Sequence, residues 1–297
     1  MAILNLDQLN QVLRDVDARW TARQPQREHR LGFVPGPTDH TLETREQLAL
    51  SNHKLFMAAP GAAAAAAAAP AYPTTFDWRN AAAVGALPAG NYVTDIKDQG
   101  DCGSCVAFGT CAAMESALRI KAQNPNLAVD LSEADLFYCH AEAEQNRQCD
   151  GPNGGWWPDA ALACAHNPGV VDEACFPYTS GDQACNKCAD WNTRLTTISA
   201  SQKITDPTAM KQWISGKGPL ITVISVYDDF QSYQSGVYHH VSGSLQGGHC
   251  ICCVGYDDAK RFWICKNSWN DSWGEQGFVN LAYGQVGVDA AMWALQL

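Results

Sequence analysis

Apolar and polar positions follow two different periods along the chain, and the change of period divides it. In the first twenty residues, apolar side chains recur at the spacing of an amphipathic helix: Leu6, Leu9, Leu13, Val16 and Trp20. Residues 105–121 form a nearly continuous apolar stretch, which predicts a buried helix. Ser132 is an expected N-cap for a helix through Tyr138, and residues 156–166 predict a further helix.

Beyond residue 190 the pattern is that of β-strands. Short apolar runs bounded by polar and glycine residues predict strands at 220–226, 249–256, 261–266, 277–283 and 290–297. We therefore expect an α+β fold, with a helical lobe over about 74–190 and a β lobe over about 191–297.

The residues before this region differ from it in pattern. Residues 1–57 carry the predicted amphipathic helix and then a polar, basic stretch that leads to an apolar run at 31–37. Residues 58–73 contain eight consecutive alanines at 62–69. An alanine run favours helix but has no face to bury, so we expect a tether between residues 1–57 and 74–297.

Charge and hydropathy exclude two classes of partner. The 297 residues include 20 basic and 31 acidic side chains, a net charge of −11, which argues against a nucleic acid or an anionic membrane. The sequence contains no run of eighteen apolar residues, so we expect no membrane-spanning segment.

Thirteen cysteines favour an oxidising compartment. The first residues lack the basic start and apolar centre of a secretory signal, which points the other way. We expect an extracytoplasmic protein, periplasmic or secreted, and the sequence does not decide the route of export.

One short stretch carries the most specific chemistry, and it is spelled Gln-Gly-Asp-Cys-Gly-Ser-Cys-Val-Ala-Phe from Gln99. Cys105 is placed at a helix start, where the helix dipole favours a thiolate, and the Gln99 amide can donate to a developing oxyanion. His249 follows two glycines, and Asn267 lies in a Lys-Asn-Ser-Trp stretch. Cys, His and Asn are the parts of a nucleophilic amide hydrolase.

Residues 74–297 resemble the papain family of cysteine peptidases. The motifs that carry the resemblance occur in the family's order: Phe-Asp-Trp-Arg at 76–79, the cysteine block, Leu-Ser-Glu at 131–133, Asn-Gly-Gly at 153–155, Phe-Pro-Tyr at 176–178, Gly-Gly-His-Cys at 247–250 and Lys-Asn-Ser-Trp at 266–269. The resemblance implies a papain-like fold with an active-site cleft between a helical lobe and a β-barrel-like lobe. We also expect a bacterial member of the family.

The same resemblance implies a role for each chemical group. Cys105 would be the nucleophile, His249 its counter-cation and then the general acid, and Asn267 the residue that orients the imidazole. Gln99 and the Cys105 backbone N–H would form the oxyanion hole, and Trp269 would shield the His–Asn hydrogen bond. The activity implied is an endopeptidase that needs no cofactor.

Three positions depart from the family pattern. Val106 stands where a large aromatic residue is usual, and Asn270 and Ser272 replace glycines. Three other interpretations stay open: a redox pair of Cys102 with Cys105, a silent peptide-binding protein, and an acyltransferase of the transglutaminase kind.

For the substrate, the resemblance implies that Gly154 and Gly155 pair with an extended peptide through their backbone. The substrate residue two before the scissile bond would enter a pocket without charged residues, which predicts a hydrophobic preference. The expected lining residues are Trp156, Trp157, Val223, Gly248, Cys250 and Ala294. Trp269 would border the cleft beyond the catalytic pair.

Sequence alone cannot pair the cysteines, so the disulfides rest on resemblance. The papain family implies Cys102–Cys149 and Cys139–Cys185. Segments 171–179 and 226–230 resemble dipeptidyl peptidase I, which adds Cys175–Cys188. That enzyme's N-terminal exclusion domain has no counterpart in residues 1–73, so we do not infer dipeptide removal. We expect no metal; the alternative is a zinc site on Cys185 and Cys188.

Papain-like peptidases are usually made as zymogens, with a prosegment that runs through the cleft in reverse to substrate. We expect residues 1–57 to be such an inhibitory segment, with cleavage near 69–75. The alternative is an arm that never touches the cleft. The partners expected are therefore peptide or protein substrates and the chain's own N-terminal segment, in a monomer.

Overall fold

The computed structural model describes residues 5–58, 72–83 and 87–297. Most of the alanine-rich tether, residues 59–71, lies outside the described residues. In the described part of the chain, no helix is both long enough and apolar enough to cross a bilayer.

Most of the helices lie where the apolar periods predict them. They are α1 (Leu6–Asp15), α2 (Leu42–Ala58), α3 (Cys105–Lys121), a π-helix (Asp135–Glu142), α4 (Pro158–His166) and α5 (Pro207–Gly216). Short 3₁₀ helices span Trp78–Asn80, Gly151–Asn153, Trp191–Thr193 and Asp228–Ser232.

Two predicted helices differ from expectation. The first ends at Asp15, because Trp20 belongs to a strand. Ser132 does cap the next helix, since its Oγ accepts the N–H of Asp135 at 2.9 Å. That helix nevertheless has the wider π-type bonding and continues to Glu142.

The strands form one open sheet. They are β1 (Trp20–Ala22), β2 (Thr75–Asp77), β3 (Ala200–Ile204), β4 (Leu220–Tyr227), β5 (Tyr233–Tyr238), β6 (Leu245–Asp257), β7 (Phe262–Lys266), β8 (Phe278–Ala282) and β9 (Met292–Gln296). Their order is β1-β5-β8-β7-β6-β4-β9-β3, and β2 pairs with β6. The β5–β8 pair is parallel and the others are antiparallel. The β lobe is thus an open sheet rather than a closed barrel.

The sheet draws in residues from outside the predicted β lobe. Thr75–Asp77, placed by the sequence in the helical lobe, pairs with β6. Trp20–Ala22 of the N-terminal segment extends the far edge by pairing with β5. Both strands are only three residues long, which is why the period-2 pattern did not reveal them.

Close packing of α3 on β6 brings the two walls of the cleft together. Gly109 permits this approach, because a Cβ there would lie 3.0 Å from the Cys250 sulfur. The first residue of α3 is Cys105, and β6 carries His249. The helix–sheet contact therefore sets the position of the sulfur relative to the imidazole.

Three disulfides stabilise the helical lobe in the described part of the chain. They join Cys102 to Cys149, Cys139 to Cys185 and Cys175 to Cys188. Because Cys185 and Cys188 are both bonded to other cysteines, they do not form the alternative zinc site. Cys102 is likewise bonded, so it is not a redox partner of Cys105.

Candidate active site

The Cys105 sulfur lies at the start of α3, where backbone N–H groups converge on it. The N–H of Cys250 donates to the sulfur over 3.3 Å. Gly32 of the N-terminal segment contributes another backbone donor. The side chain is completely buried. The Cys105 sulfur is therefore contacted by the β6 wall of the cleft and by the N-terminal segment.

His249 is positioned by two residues that follow the end of β7. Its Nε2 pairs with Oδ1 of Asn267 at 2.7 Å, and the Trp269 ring stacks on the imidazole with 4.6 Å between centroids. The Nδ1 atom is buried and has no hydrogen-bond partner among the described residues. The imidazole is therefore fixed at Nε2, with Nδ1 available for a proton transfer.

The charge state of this pair differs from the expected thiolate–imidazolium. Burial raises the pKa of Cys105 to about 12. Burial also lowers the pKa of His249 to about 4, although the hydrogen bond that its ring donates to Asn267 Oδ1 acts to raise it. Desolvation thus outweighs the helix start and the backbone donors. In this covered form burial favours the uncharged thiol and the uncharged imidazole.

Gln99 lies where an oxyanion donor is expected. Its Nε2 donates to the carbonyl of Cys102 over 2.8 Å and to the carbonyl of Arg30 over 3.2 Å. Its Oε1 accepts the Ser268 hydroxyl at 2.7 Å, which orients the amide. Sequence reasoning missed Ser268, although it stands inside the Lys-Asn-Ser-Trp motif.

Residues 29–34 of the N-terminal segment pass directly through the cleft. The Phe33 N–H donates to the Gly248 carbonyl at 3.0 Å, and the Val34 N–H donates to the Trp156 carbonyl at 3.0 Å. In return the Trp156 N–H donates to the Gly32 carbonyl at 2.7 Å. The segment is thus bonded by its backbone to both walls of the cleft, as an extended peptide would be.

Phe33 fills the expected pocket. Its side chain is buried, and its ring lies against Gly248. Beneath it lies Arg45 of α2, whose guanidinium is 5.9 Å from the Phe33 ring centroid. Arg45 donates weakly to the carbonyls of Val223 and Ala291. Burial lowers the pKa of Arg45 to about 10. Sequence reasoning missed this arginine, because α2 contains many polar residues and nothing in its sequence shows which of them is buried against the β lobe.

One predicted pocket residue lies elsewhere. Ala294 pairs with Gln202 across β3 and borders a separate hollow beside Trp213. Trp293, one position earlier, faces Arg45 with 5.4 Å to its ring centroid. Successive residues of a strand point to opposite faces, so Ala294 cannot share the face of Trp293. The carbonyl of Ala291, just before β9, accepts from Arg45 instead.

The remaining pocket residues surround the segment. Trp156 is fully buried, and its indole N–H donates to Gln145 at 2.9 Å. The ring of Trp157 lies next to Gly36. Cys250 follows His249 on β6 and donates its N–H to Cys105. The structure thus brings these three residues to the cleft.

Gly154 and Gly155 form a rigid part of the wall. Arg147 donates to both of their carbonyls at 2.6 Å. Gly155 has a φ of +77°, and a Cβ there would lie 2.4 Å from the Gly32 carbonyl oxygen. Only glycine allows the segment to approach so closely.

His29 of the N-terminal segment contacts the same tryptophan that stacks on His249. Its ring stacks on Trp269 with centroids 4.4 Å apart and planes 5° apart. Burial, and then the charge of Arg27, lower the pKa of His29 to about 3. Trp269 therefore stacks with both His249 and His29.

The departures from the family pattern fit this site. Val106 is completely buried in α3. Asn270 has a φ of +58°, a conformation that glycine or asparagine adopts most readily. The Ser272 hydroxyl donates to Gln26 of the N-terminal segment at 3.0 Å. None of the three moves a chemical group away from Cys105.

Comparison with known proteins decides the family. Residues 72–294 match the model of the papain family cysteine proteases. The chain belongs to this family.

Two curated relatives show how far the likeness extends. Cathepsin B-like CP3 of Giardia intestinalis is 36% identical over 202 residues, which cover 64% of this chain and 64% of that protein. Digestive cysteine proteinase 1 of Homarus americanus is 35% identical over 215 residues, or 70% of this chain and 62% of that protein. The chain thus spans slightly less than two thirds of the length of these relatives. Both are eukaryotic, so they give no support to the expected bacterial source.

Solved structures of precursors share the fold. Procathepsin B S9 from Trypanosoma congolense aligns with a TM-score of 0.70 at 20% identity, over 100% of this chain and 99% of that one. Procathepsin L2 of Tenebrio molitor aligns with a TM-score of 0.67 at 26% identity, over 98% of this chain and 89% of that one. The likeness covers the N-terminal segment as well as residues 72–294.

Proposed function

We propose that this protein is a cysteine endopeptidase made as a zymogen. The observation that carries the proposal is that the N-terminal segment contacts two of the proposed catalytic groups: Gln99 Nε2 donates to the carbonyl of Arg30 over 3.2 Å, and the backbone N–H of Gly32 donates to the Cys105 sulfur. The proposed oxyanion donor thus already binds a backbone carbonyl of the chain's own N-terminal segment.

The chemistry follows from these positions. In the open cleft, the Cys105 thiolate attacks the carbonyl carbon, and the oxyanion is stabilised by Gln99 Nε2 and the Cys105 N–H. Protonated His249 gives its proton to the leaving amine, which departs and leaves a thioester. Water then attacks the thioester, with His249 as base, and releases the acid and the free thiol.

Chain direction explains how the segment can occupy the cleft and survive. His29 lies beside Trp269, Arg30 beside Gln99, and Phe33 in the proposed pocket. The segment therefore runs from the catalytic pair toward that pocket, whereas a substrate would run from the pocket toward the pair. In this reversed direction the segment blocks the cleft without placing a scissile bond productively.

Phe33 also supports the proposed specificity. An aromatic side chain fills the pocket, whose proposed walls contribute no charge once α2 and its Arg45 have left. We therefore propose a hydrophobic preference two residues before the scissile bond.

The setting proposed is extracytoplasmic, because three disulfides persist best in an oxidising compartment. The proposed enzyme acts as a monomer, since one chain supplies both walls of the cleft and the segment that covers it. Its partners are peptide or protein substrates.

Peptide hydrolysis tests the proposal. A chain that begins at Tyr72 should cleave fluorogenic peptides with a hydrophobic residue at the second position before the bond, and the full chain should cleave them far more slowly. Cys105→Ala should abolish hydrolysis in both. No hydrolysis by the shorter chain would favour a silent peptide-binding protein, and equal rates would end the zymogen proposal.

A further inference from the structure

A second group of chemically active side chains lies in the helical lobe, outside the cleft. His140 is on the π-helix, Glu144 follows two residues after its end, and Cys164 is on α4. One ligand atom from each lies within 4.8 Å of the other two. Ligands of one tetrahedral zinc ion lie about 3–4 Å apart, so a shift of less than about 2 Å would close a site.

His140 is the observation that distinguishes this group from an ordinary surface cluster. The residue is 2% exposed, and neither ring nitrogen makes a well-oriented hydrogen bond to a described residue. Its nearest polar neighbours are carboxylates: Nδ1 lies 3.0 Å from Glu144, and Nε2 lies 3.9 Å from Asp135. A buried imidazole without good hydrogen bonds is costly, and a cation would satisfy it.

The surrounding charge favours a cation. Asp135 is fully buried, and its carboxylate is balanced by Lys187 at 3.0 Å. Glu144 adds a second carboxylate that remains exposed to solvent, which leaves a route for an ion. A dication at the centre would oppose this negative field.

We propose that His140, Glu144 and Cys164 bind one zinc ion, with water as the fourth ligand. Imidazole, thiolate and carboxylate together are the donor set of a borderline-soft ion, and zinc accepts all three at four-coordinate geometry. Calcium and magnesium prefer sites made of oxygen alone. The Cys164 proton is released to solvent when the thiolate binds.

The position of this zinc site links it to the wall of the cleft. Gln145, next to Glu144, holds the Trp156 indole, and Arg147 holds the carbonyls of Gly154 and Gly155. Zinc at Glu144 fixes the start of the loop that carries both of these residues.

Zinc binding by the full chain tests the proposal. The Cys105→Ala background removes the cleft thiol as a competing ligand. Equilibrium dialysis against buffered zinc should give about one zinc per chain, and Co²⁺ should give a thiolate-to-cobalt charge-transfer band. Glu144→Gln, at an exposed position, should weaken zinc binding at least about tenfold. Cys164→Ser should abolish the cobalt band.

His166→Gln is the matched control, because this exposed histidine lies on the same helix two residues after Cys164. It should bind zinc like the parent. Absence of stoichiometric zinc in the folded parent would show that His140 and Glu144 form an ordinary ion pair. Equal affinity in parent and Glu144→Gln, or a cobalt band that survives Cys164→Ser, would also overturn the proposed site.

Discussion

Two contacts that the N-terminal segment makes with the rest of the protein differ in kind. At the edge of the sheet, β1 pairs with β5, Trp20 is 3% exposed, and its indole N–H donates to the His239 carbonyl at 3.0 Å. In the cleft, the contacts of Gly32, Phe33 and Val34 are backbone hydrogen bonds to Trp156 and Gly248, two residues of the proposed substrate site.

The difference separates attachment from obstruction. The β1 contact buries a large aromatic side chain and extends a sheet edge without approaching Cys105. The cleft contact approaches Cys105 but uses shared groups, so any peptide of suitable direction competes with it. Holding the segment at β1 raises its effective concentration at the cleft, and a modest affinity there then suffices to block it.

Gly32→Ala is expected to break the cleft contact alone, with the largest effect. A Cβ on Gly32 would lie 1.8 Å from the Gly103 carbonyl oxygen, so residues 30–33 must leave the cleft. The loss of three hydrogen bonds and of Phe33 burial should raise peptidase activity of the full chain about 10²–10³-fold. Initial rates on a fluorogenic peptide measure this.

Trp20→Ala is the matched variant for the edge contact. Hydrogen exchange should show β1 released in Trp20→Ala and retained in Gly32→Ala. A Gly32→Ala chain that stays inactive while folded would show that something other than residues 30–33 restrains the enzyme.

Gln99→Ala sharpens the comparison because one amide serves both substrate and segment. In the chain that begins at Tyr72, loss of an oxyanion donor should lower kcat about 10²–10³-fold. The same change removes one neutral hydrogen bond to Arg30. In the full chain it should therefore shift the equilibrium from the closed to the open cleft by only about tenfold or less. A fall in KM alone, with kcat unchanged, would contradict the oxyanion role.

Acid should open the cleft contact more than the edge contact. The pKa of His29 is lowered to about 3 and that of His249 to about 4, both from 6.5. A lowered histidine pKa means that the closed form is favoured above pH 6.5 and loses this stability as pH falls toward 4. Hydrogen exchange of residues 30–34 in a Cys105→Ala chain, corrected for intrinsic rates, should increase about tenfold or more from pH 7.5 to 4.5.

His29→Gln gives the control for this pH effect. In this variant the exchange of residues 30–34 should increase less between pH 7.5 and 4.5, since one of the two titrating groups is gone. Identical profiles for the parent and His29→Gln would remove His29 from the opening mechanism.

Val223→Glu is the smallest change and tests the pocket that Phe33 occupies. In the chain that begins at Tyr72, a carboxylate in the pocket should shift preference toward basic residues two before the bond, by about tenfold in relative kcat/KM. Val223→Gln keeps the volume without the charge and should not favour basic residues. An unchanged profile in the Glu variant would place the pocket elsewhere.

Much of the site could be predicted from sequence because chemistry restricts residue type. Only a few side chains can serve as nucleophile, acid and amide donor, so Gln99, Cys105, His249 and Asn267 stand out, and the structure places them together. The long helix Cys105–Lys121 was predicted with its bounds, because its apolar run is nearly continuous.

The parts that were missed are those recognised through backbone or shape. The apolar run at 31–37 was expected to occupy the cleft, but the contacts of its individual residues were not predicted, because Gly32 and Phe33 bind through main-chain groups and a single ring that any short apolar stretch could supply. Arg45 is buried only because α2 folds back under Phe33. Ala294 was expected in the pocket, whereas on β9 it pairs with Gln202 and lies on the face opposite to Trp293. The neutral charge state of Cys105 depends on burial by residues far away in sequence.

The most direct test of the central claim is mass spectrometry after reaction with a peptidyl epoxide, which alkylates activated thiolates. We predict one adduct, at Cys105, that forms rapidly in the chain beginning at Tyr72 and slowly in the full chain at pH 7.5. Labelling of another cysteine would contradict Cys105 as the nucleophile, and equal rates in the two chains would contradict its burial by residues 29–34.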